Sequence, residues 1–220
     1  FLHYRDAAFF IHRAFKTRGQ HPVKDMLLSF AAAKDDPIAS GRHKVLGAKD
    51  LNIPPQTSTI ASHLPKAVGT AFGIGLSKKL KLSGKLESDS IVMCSFGDAS
   101  INHSTAQGAF NSACWSARQG AWMPILFVCE DNAIGISTKT PKDWVQDNFE
   151  CRPDMKYFYA DGLNIFHTLE VTQKAADYVR REKKPALLHM DCVRLYGHAG
   201  PDMPSSYLSE AEIEEIEAND

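Results

Sequence analysis

Short apolar runs alternate with longer helical patterns after residue 90. Four runs of four to eight residues are apolar at nearly every position, which is typical of strands buried on both faces of a parallel sheet. They lie at residues 90–96, 124–130, 157–160 and 186–193. Helical spacing separates them at 105–118 and 167–183, while the loop 135–155 has room for at most a short helix. This order predicts an α/β fold, a doubly wound parallel sheet with helices on both faces.

The N-terminal part of the chain carries helical patterns around one irregular segment. The predicted helices lie at residues 7–18, 23–33 and 62–80, and an acidic pattern at 210–220 predicts a final one. Ser62 is suited to cap its helix, whose glycines and alanines predict a neighbouring backbone packed close against it. Residues 35–57 show no periodicity and contain three prolines and two glycines, so we expect a long loop there.

Composition narrows the class of protein. The chain has 220 residues, of which 44% are hydrophobic and 23% charged, as expected for one globular domain over residues 1–220. Lys and Arg number 25 against 26 Asp and Glu, which argues against a surface that binds nucleic acid by neutralising phosphates. The longest largely apolar stretch, 64–76, is shorter than the roughly 20 residues of a membrane span, so we expect a soluble protein.

The cysteine pattern bears on the redox state of the protein's compartment, and the first residue bears on whether the sequence is a fragment. The five cysteines form no CxxC pair and no metal-binding spacing, so we expect reduced thiols in a cytosol-like compartment, with three of them packed in the core. The chain begins at Phe1 without a Met or a leader. We therefore interpret it as a fragment of a longer chain.

Polar residues follow the predicted strands at the edge where ligands bind in open parallel sheets. Asp98 follows the first strand and Asn132 the second, so both are expected at the same edge. Carboxylate and amide oxygens suit Mg²⁺, and the backbone N–H groups of Ala99 and Ser100 could cradle a phosphate. An Asp after a strand is also a common turn former, and both interpretations stay open on spacing alone.

The sequence lacks the characteristic motifs of two classes of nucleotide-binding protein. A nicotinamide-dependent oxidoreductase needs GxGxxG directly after the first strand, but Gly73-Ile74-Gly75 lies inside a predicted helix. The phosphate-binding pattern GxxxxGK[ST] does not occur.

Several longer motifs resemble one enzyme family. They are YRD at 4–6, IASHLPKAVG at 60–69, Gly97-Asp98 with Asp131-Asn132, DNAIGIST at 131–138 and RLYGHAGPD at 194–202. Together, in this order, they resemble the alpha subunit of thiamine diphosphate-dependent 2-oxo acid dehydrogenases. The branched-chain (2-oxoisovalerate) type is most similar, with pyruvate dehydrogenase close behind. The resemblance implies the transketolase-like, thiamine diphosphate-binding version of the α/β fold.

The resemblance also implies roles for individual residues. The metal ligands would be Asp98, Asn132 and the carbonyl of Ile134, and the catalytic candidates are His198, facing the diphosphate and the reacting centre, and His63. The implied cofactor-binding residues are Tyr4, Arg5, Ser58, Ile60, Gly97, Asp98, Ala99, Ser100, Asn132 and His198. For His63, as for His103, capping of a helix or solvation at the surface is an equal alternative.

The sequence departs from the family motif at four positions. Ala99 replaces a glycine and Asp131 an asparagine, both mild changes. Glu130 stands where branched-chain relatives have an arginine, so either it points away from the diphosphate or other cations neutralise that group. Ala199 replaces the serine that is phosphorylated in mitochondrial relatives, which favours an unphosphorylated, bacterial and cytoplasmic enzyme.

The implied activity is oxidative decarboxylation of a branched-chain 2-oxo acid of the 2-oxoisovalerate type, with acyl transfer to lipoyl groups. The implied cofactors are thiamine diphosphate and Mg²⁺. A pyruvate or acetoin dehydrogenase alpha subunit and a non-catalytic scaffold domain of the same fold are the alternatives. No glutamate matches the residue that activates the aminopyrimidine, so the implied partners are a beta subunit or fused beta-like domain, in a two-alpha two-beta assembly, and a lipoyl-bearing acyltransferase.

Overall fold

Five parallel strands form the central sheet. The computed structural model describes residues 6–9, 21–42, 45–57, 59–84 and 86–219. In chain order the sheet strands are β1 (Ala7–Phe9), β4 (Val92–Gly97), β5 (Ile125–Asp131), β8 (Lys156–Asp161) and β9 (Ala186–Asp191). Their order across the sheet is β1-β4-β5-β9-β8, and each neighbouring pair is parallel. The chain therefore reverses its direction across the sheet after β8.

That reversal places helices on both faces. The main helices are α1 (Pro22–Phe30), α2 (Leu64–Lys79), α3 (Ser104–Arg118), α4 (Trp144–Phe149), α5 (Ile165–Glu182) and α6 (Glu210–Ala218). Buried residues of α2, α3 and α4 form one apolar cluster with β4 and β5, whereas α5 forms a second cluster with the other face of β5 and β9. The doubly wound parallel sheet predicted from the sequence is confirmed.

The predicted helix at 7–18 is wrong where the structure describes it. Residues Ala7–Phe9 form edge strand β1, paired with Val92–Cys94 of β4. All three residues are at most 3% exposed. A short run that is apolar at every position fits a strand buried on both faces as well as a helix, and here the sheet buries it.

The predicted loop at 35–57 contains a hairpin. Strands β2 (Leu46–Ala48) and β3 (Ile53–Gln56) pair antiparallel around a short 3₁₀ turn. Asn52 takes a left-handed conformation with φ of 53° there, which asparagine tolerates better than most residues. Pro54 and Pro55 lie in β3, an edge strand of this small sheet, where a missing donor costs little.

Four phenylalanines fill the core below the carboxyl ends of β4 and β5. The ring of Phe110 on α3 lies 5.3, 5.0 and 4.9 Å from those of Phe96, Phe127 and Phe149. Phe96 is two residues before Asp98, so this packing fixes the strand end that carries the predicted site. Of the three cysteines in the apolar runs, Cys94 and Cys129 are buried as expected, whereas Cys192 is only half-buried; Cys114 on α3 is buried as well. Over the described residues, no helix has the length and hydrophobicity to span a membrane.

Candidate active site

The ends of β4 and β5 bring Asp98 and Asn132 together. Gly97 pairs in register with Glu130, so the two strands end side by side and each passes directly into one of the two polar residues. The backbone N–H of Asn132 donates a hydrogen bond to the Asp98 carboxyl group. The expected pairing of these residues at one edge of the sheet is therefore what the structure shows.

Asp98 is a buried carboxyl group among polar donors. It is 2% exposed, and the Thr140 hydroxyl donates a hydrogen bond to its Oδ2. Burial raises the pKa of Asp98, and the nearby charge of Asp131 raises it further, while the Thr140 bond acts in the opposite direction. A cation held here would relieve both the desolvation and the repulsion, because opposite charge favours the ionised form.

The segment that follows Asn132 folds back over the start of the Asp98 turn. Strands β6 (Ile134–Gly135) and β7 (Thr138–Lys139) form a short hairpin, and Thr140 N–H donates to the Ala133 carbonyl at 2.9 Å. Gly135 lies so close to Ala99 that a Cβ placed on it would be 2.5 Å from the Ala99 Cβ. This contact holds Asn132 and Ile134 near Asp98.

The residues present fit a hard divalent cation beside a phosphate. A carboxylate, a carboxamide oxygen and a backbone carbonyl from this turn are oxygen ligands of the kind Mg²⁺ prefers. Residues Asp98–Asn102 form a 3₁₀ turn directly after β4 and before α3, so Ala99 and Ser100 begin the helical segment as expected. The N-terminal N–H groups of such a turn favour an anion.

A polar network that the sequence did not reveal lies beside this pair. His189, 6% exposed on β9, is within 2.9 Å of Asp131 Oδ2 through its Nε2 and within 2.7 Å of the Tyr157 hydroxyl through its Nδ1. Asp191 accepts a hydrogen bond from Tyr159. The sequence feature that could have predicted this network is the histidine inside the apolar run 186–193, because a buried imidazole on a strand requires hydrogen-bond partners on neighbouring strands.

Contacts with its neighbours lower the pKa of Asp131. Burial acts to raise its pKa, but the hydrogen bonds from His189 and from the Ala133 N–H outweigh burial and hold the pKa below its usual value. Alternation along β5 places the Asp131 side chain on the face of α2 and α3, and Glu130 on the opposite face, with α5. Glu130 is exposed.

His63 and His103 have defined structural partners. His63 precedes α2, and its Nε2 is 2.7 Å from the Ser95 carbonyl on β4. Burial lowers the pKa of His63 and so favours its neutral form. The His103 imidazole accepts a hydrogen bond from Thr105 N–H and caps α3. The capping alternative therefore holds for His103, whereas His63 lies close to β4 near the site.

His198 lies on an exposed loop after β9. Its backbone N–H donates to Asp202 Oδ2 at 2.6 Å, and the Tyr207 hydroxyl donates to the same oxygen at 2.8 Å. The hydrogen bonds of the loop hold its two ends together, and none of the described contacts joins the His198 imidazole to Asp98 or Asn132. Its predicted catalytic role remains a prediction.

The other predicted cofactor contacts divide into two groups. Tyr4, Arg5 and Ser58 lie outside the described residues. Ile60 is 54% exposed in the turn that leads into α2, so its side chain is available for an apolar contact.

Known proteins with similar sequences match about two thirds of this chain or more. The testis-specific mitochondrial pyruvate dehydrogenase E1 component subunit alpha of Homo sapiens is 30% identical over 150 residues, which cover 66% of this chain and 36% of that protein. The mitochondrial counterpart of Sminthopsis macroura is 26% identical over 91% of this chain and 51% of its own length. The 2-oxoisovalerate dehydrogenase subunit alpha of Bacillus subtilis (strain 168) is 28% identical over 90% of this chain and 57% of its own.

The chain thus spans between a third and three fifths of the length of these relatives. Among solved structures, a transketolase from Campylobacter jejuni superposes on 64% of this chain and 21% of its own, with a TM-score of 0.47 and 17% identity. The α/β assignment rests on the strand order and helix placement described above. The sequence model of the dehydrogenase E1 component matches residues 1–220, and the chain belongs to that family.

Proposed function

We propose that this chain is the alpha part of a thiamine diphosphate-dependent 2-oxo acid dehydrogenase and holds the magnesium-diphosphate half of its site. The observation that supports this most is the meeting of Asp98 with Asn132 and the Ile134 turn at the ends of two adjacent parallel strands. Residues 1–220 would form one cofactor-binding domain of a longer chain.

Each part of the proposed site has a separate task. Asp98, Asn132 and the Ile134 carbonyl would hold Mg²⁺, and the turn at Ala99 would receive the diphosphate. Tyr4 and Arg5 would reach the same anion, as a fork-shaped guanidinium does well. The bound thiamine diphosphate would supply the electron sink for decarboxylation.

Two residues are proposed nearer the reacting atoms. The His198 imidazole would donate a proton or hydrogen bond there once its loop closes over the cofactor. Ile60 would offer an apolar contact to the bent middle of the cofactor, since its side chain is half exposed beside the start of α2. His63, whose Nε2 lies 2.7 Å from the Ser95 carbonyl of β4, would line the same part of the active site.

We further propose a second subunit that completes the site. Apart from the adjacent residues and the backbone of α2 itself, no atom of the described residues lies within 4 Å of a Cβ built on Gly69 or Gly73, so these two positions leave an open strip along α2. Phe72 and Leu76, 43% and 42% exposed, lie on the same helix. A beta subunit packed there would bury these side chains, and a two-alpha two-beta assembly would bind a lipoyl-bearing acyltransferase. A Gly73→Leu variant should lose the second subunit, which light scattering would detect as a smaller particle.

The substrate is proposed to be a branched-chain 2-oxo acid. The Bacillus subtilis relative is named for 2-oxoisovalerate and the mitochondrial relatives for pyruvate, and both are about equally similar to this chain. Ala199 stands where mitochondrial relatives have the phosphorylated serine, and this replacement supports a bacterial, cytoplasmic enzyme. Comparing turnover of 2-oxoisovalerate, pyruvate and acetoin by the assembled enzyme decides among these substrates.

The test of the proposed function is a calorimetric titration of thiamine diphosphate into the assembled protein with and without Mg²⁺. Binding should require Mg²⁺ and should be abolished in Asp98→Asn, because the carboxamide lacks the charge that holds the ion. Binding that is independent of Mg²⁺, or that is unchanged in Asp98→Asn with a normal fold, would refute the proposal. Complete absence of binding in the wild-type assembly would favour the scaffold alternative.

A further inference from the structure

Three neighbouring strands of the sheet direct polar side chains to one face. By the alternation of each strand, Tyr157 and Tyr159 of β8, His189 of β9 and Asp131 of β5 lie on the face of α2 and α3. Tyr157 and Tyr159 pair in register with Leu187 and His189, and Cys129 on β5 pairs with His189 as well. The sheet itself therefore sets the spacing of these groups.

Two hydrogen bonds join three of these groups in a chain. His189 Nε2 lies 2.9 Å from Asp131 Oδ2, and a hydrogen bond joins this ring nitrogen to the carboxyl group. The other ring nitrogen, Nδ1, lies 2.7 Å from the Tyr157 hydroxyl and is joined to it by a second hydrogen bond. Burial raises the pKa of Tyr157, so its hydroxyl keeps the proton it donates. Tyr157, His189 and Asp131 form a chain that ends at the turn carrying Asn132.

Asp131 connects this chain to the cation site. Its Oδ1 accepts the Ala133 N–H at 2.9 Å, and its backbone carbonyl accepts the Cys192 N–H at 2.8 Å. Ala133 has a φ of 58°, a strained conformation for alanine that needs support from its surroundings. Asp131 supplies part of that support through the Ala133 N–H, and the Thr140 N–H supplies another part through the Ala133 carbonyl.

The same residues do not make a second metal site. One ligand atom each from Asp131, His189 and Asp191 lie within 4.8 Å of one another. Both ring nitrogens of His189, however, already have hydrogen-bond partners. The described geometry therefore favours a supporting role over a ligating one.

We propose that His189 is a positioning residue for the cation site, which fixes Asp131 so that the turn at 132–134 presents its oxygens beside Asp98. This inference rests on the proposed function of that site. It predicts that changes at His189 weaken Mg²⁺ binding although the side chain itself does not ligate the ion.

The experiment measures the apparent dissociation constant for Mg²⁺ in the assembled protein at saturating thiamine diphosphate, together with the unfolding temperature. His189→Leu removes both hydrogen bonds and should weaken Mg²⁺ binding at least about tenfold, within the range seen when supporting residues of metal sites are lost. His189→Gln can still donate to Asp131 and should recover most of that loss. Rescue by Gln is a result that a purely space-filling role would not give.

Two further variants cover the case in which His189→Leu does not fold. Tyr157→Phe removes only the hydroxyl that orients the imidazole and should weaken Mg²⁺ binding about threefold, the effect of one lost hydrogen bond. Tyr159→Phe removes a hydroxyl from the same face whose partner is Asp191, and it should leave Mg²⁺ binding unchanged.

The outcomes separate this inference from the proposed function. Unchanged Mg²⁺ affinity in Tyr157→Phe and His189→Leu, with loss of binding in Asp98→Asn, would overturn the role of His189 alone. Equal losses in His189→Gln and His189→Leu, or in Tyr157→Phe and Tyr159→Phe, would also overturn it. No Mg²⁺-dependent binding in the wild type would overturn both.

Discussion

Replacing Gly135 by alanine should weaken cofactor binding through a clash outside the metal ligands. A Cβ at position 135 would lie 2.5 Å from the Ala99 Cβ, whereas non-bonded carbons rest at about 3.5–4.0 Å. The turn at 132–135 must therefore move away from Asp98 by roughly 1.0–1.5 Å. Because Mg²⁺ demands near-ideal geometry, binding has to draw the turn back against the clash.

The expected loss follows from the cost of overpacking. Forcing an extra methyl group into a packed contact costs about 1–3 kcal/mol, and about 1.4 kcal/mol corresponds to a tenfold change in affinity. Calorimetric titration of thiamine diphosphate with Mg²⁺ should therefore show Gly135→Ala binding about ten- to a hundredfold more weakly than the wild type. The unfolding temperature is measured alongside, so that a general loss of structure is recognised.

A second substitution provides the matched control. Ala99→Gly removes the methyl group against which the new Cβ collides, so the double variant Gly135→Ala/Ala99→Gly should recover most of the lost affinity. Ala99→Gly alone should bind nearly normally. Affinity within twofold of the wild type in Gly135→Ala, or a double variant as weak as Gly135→Ala, would refute the reasoning.

Three other substitutions test neighbouring parts of the account. Burial lowers the pKa of His63 below its ordinary value of 6.5, so the stability that depends on the neutral imidazole is present above pH 6.5 and is lost as the pH falls below it. The unfolding temperature of His63→Gln should therefore drop less than that of the wild type between about pH 7.5 and about pH 5.5. Glu130 lies on the α5 face, and Glu130→Gln should change thiamine diphosphate affinity less than about twofold in calorimetry, as expected for an exposed charge; a larger change would place its charge next to the diphosphate. Asp202→Ala removes the acceptor that holds the His198 loop, so amide hydrogen exchange at 197–207 should accelerate while the sheet stays protected. Unchanged exchange would mean that the loop is held elsewhere.

The sheet was predictable because its strands are apolar on both faces. At β5 the run from Ile125 to Cys129 is buried throughout, and such a run bounded by polar residues has few other solutions. The position of Asp98 and Asn132 followed directly, because parallel strands present their carboxyl ends at one edge. The prediction of a helix at Ala7–Phe9 was wrong because these residues are also apolar at every position, and periodicity does not separate a short buried strand from a buried helix.

The supporting contacts of the site were not predictable from spacing. His189 reaches Asp131 over 58 positions of sequence, and Thr140 reaches Asp98 over 42, so both contacts depend on strand order and loop path. The need for glycine at 135 depends on one approach to Ala99 that no local pattern encodes. The strand ends and the family resemblance pointed to the proposed ligands, while the fold determines which neighbours hold those residues in place.

The central claim, that Asp98, Asn132 and the Ile134 carbonyl hold the cation of a diphosphate cofactor, is tested most directly by anomalous scattering. Crystals of the assembled protein with thiamine diphosphate and Mn²⁺ in place of Mg²⁺ would locate the ion by its own signal. The account predicts one Mn²⁺ in contact with those three groups and with the diphosphate. Mn²⁺ found instead between Asp131, His189 and Asp191, or thiamine diphosphate bound without any ion beside Asp98, would contradict it.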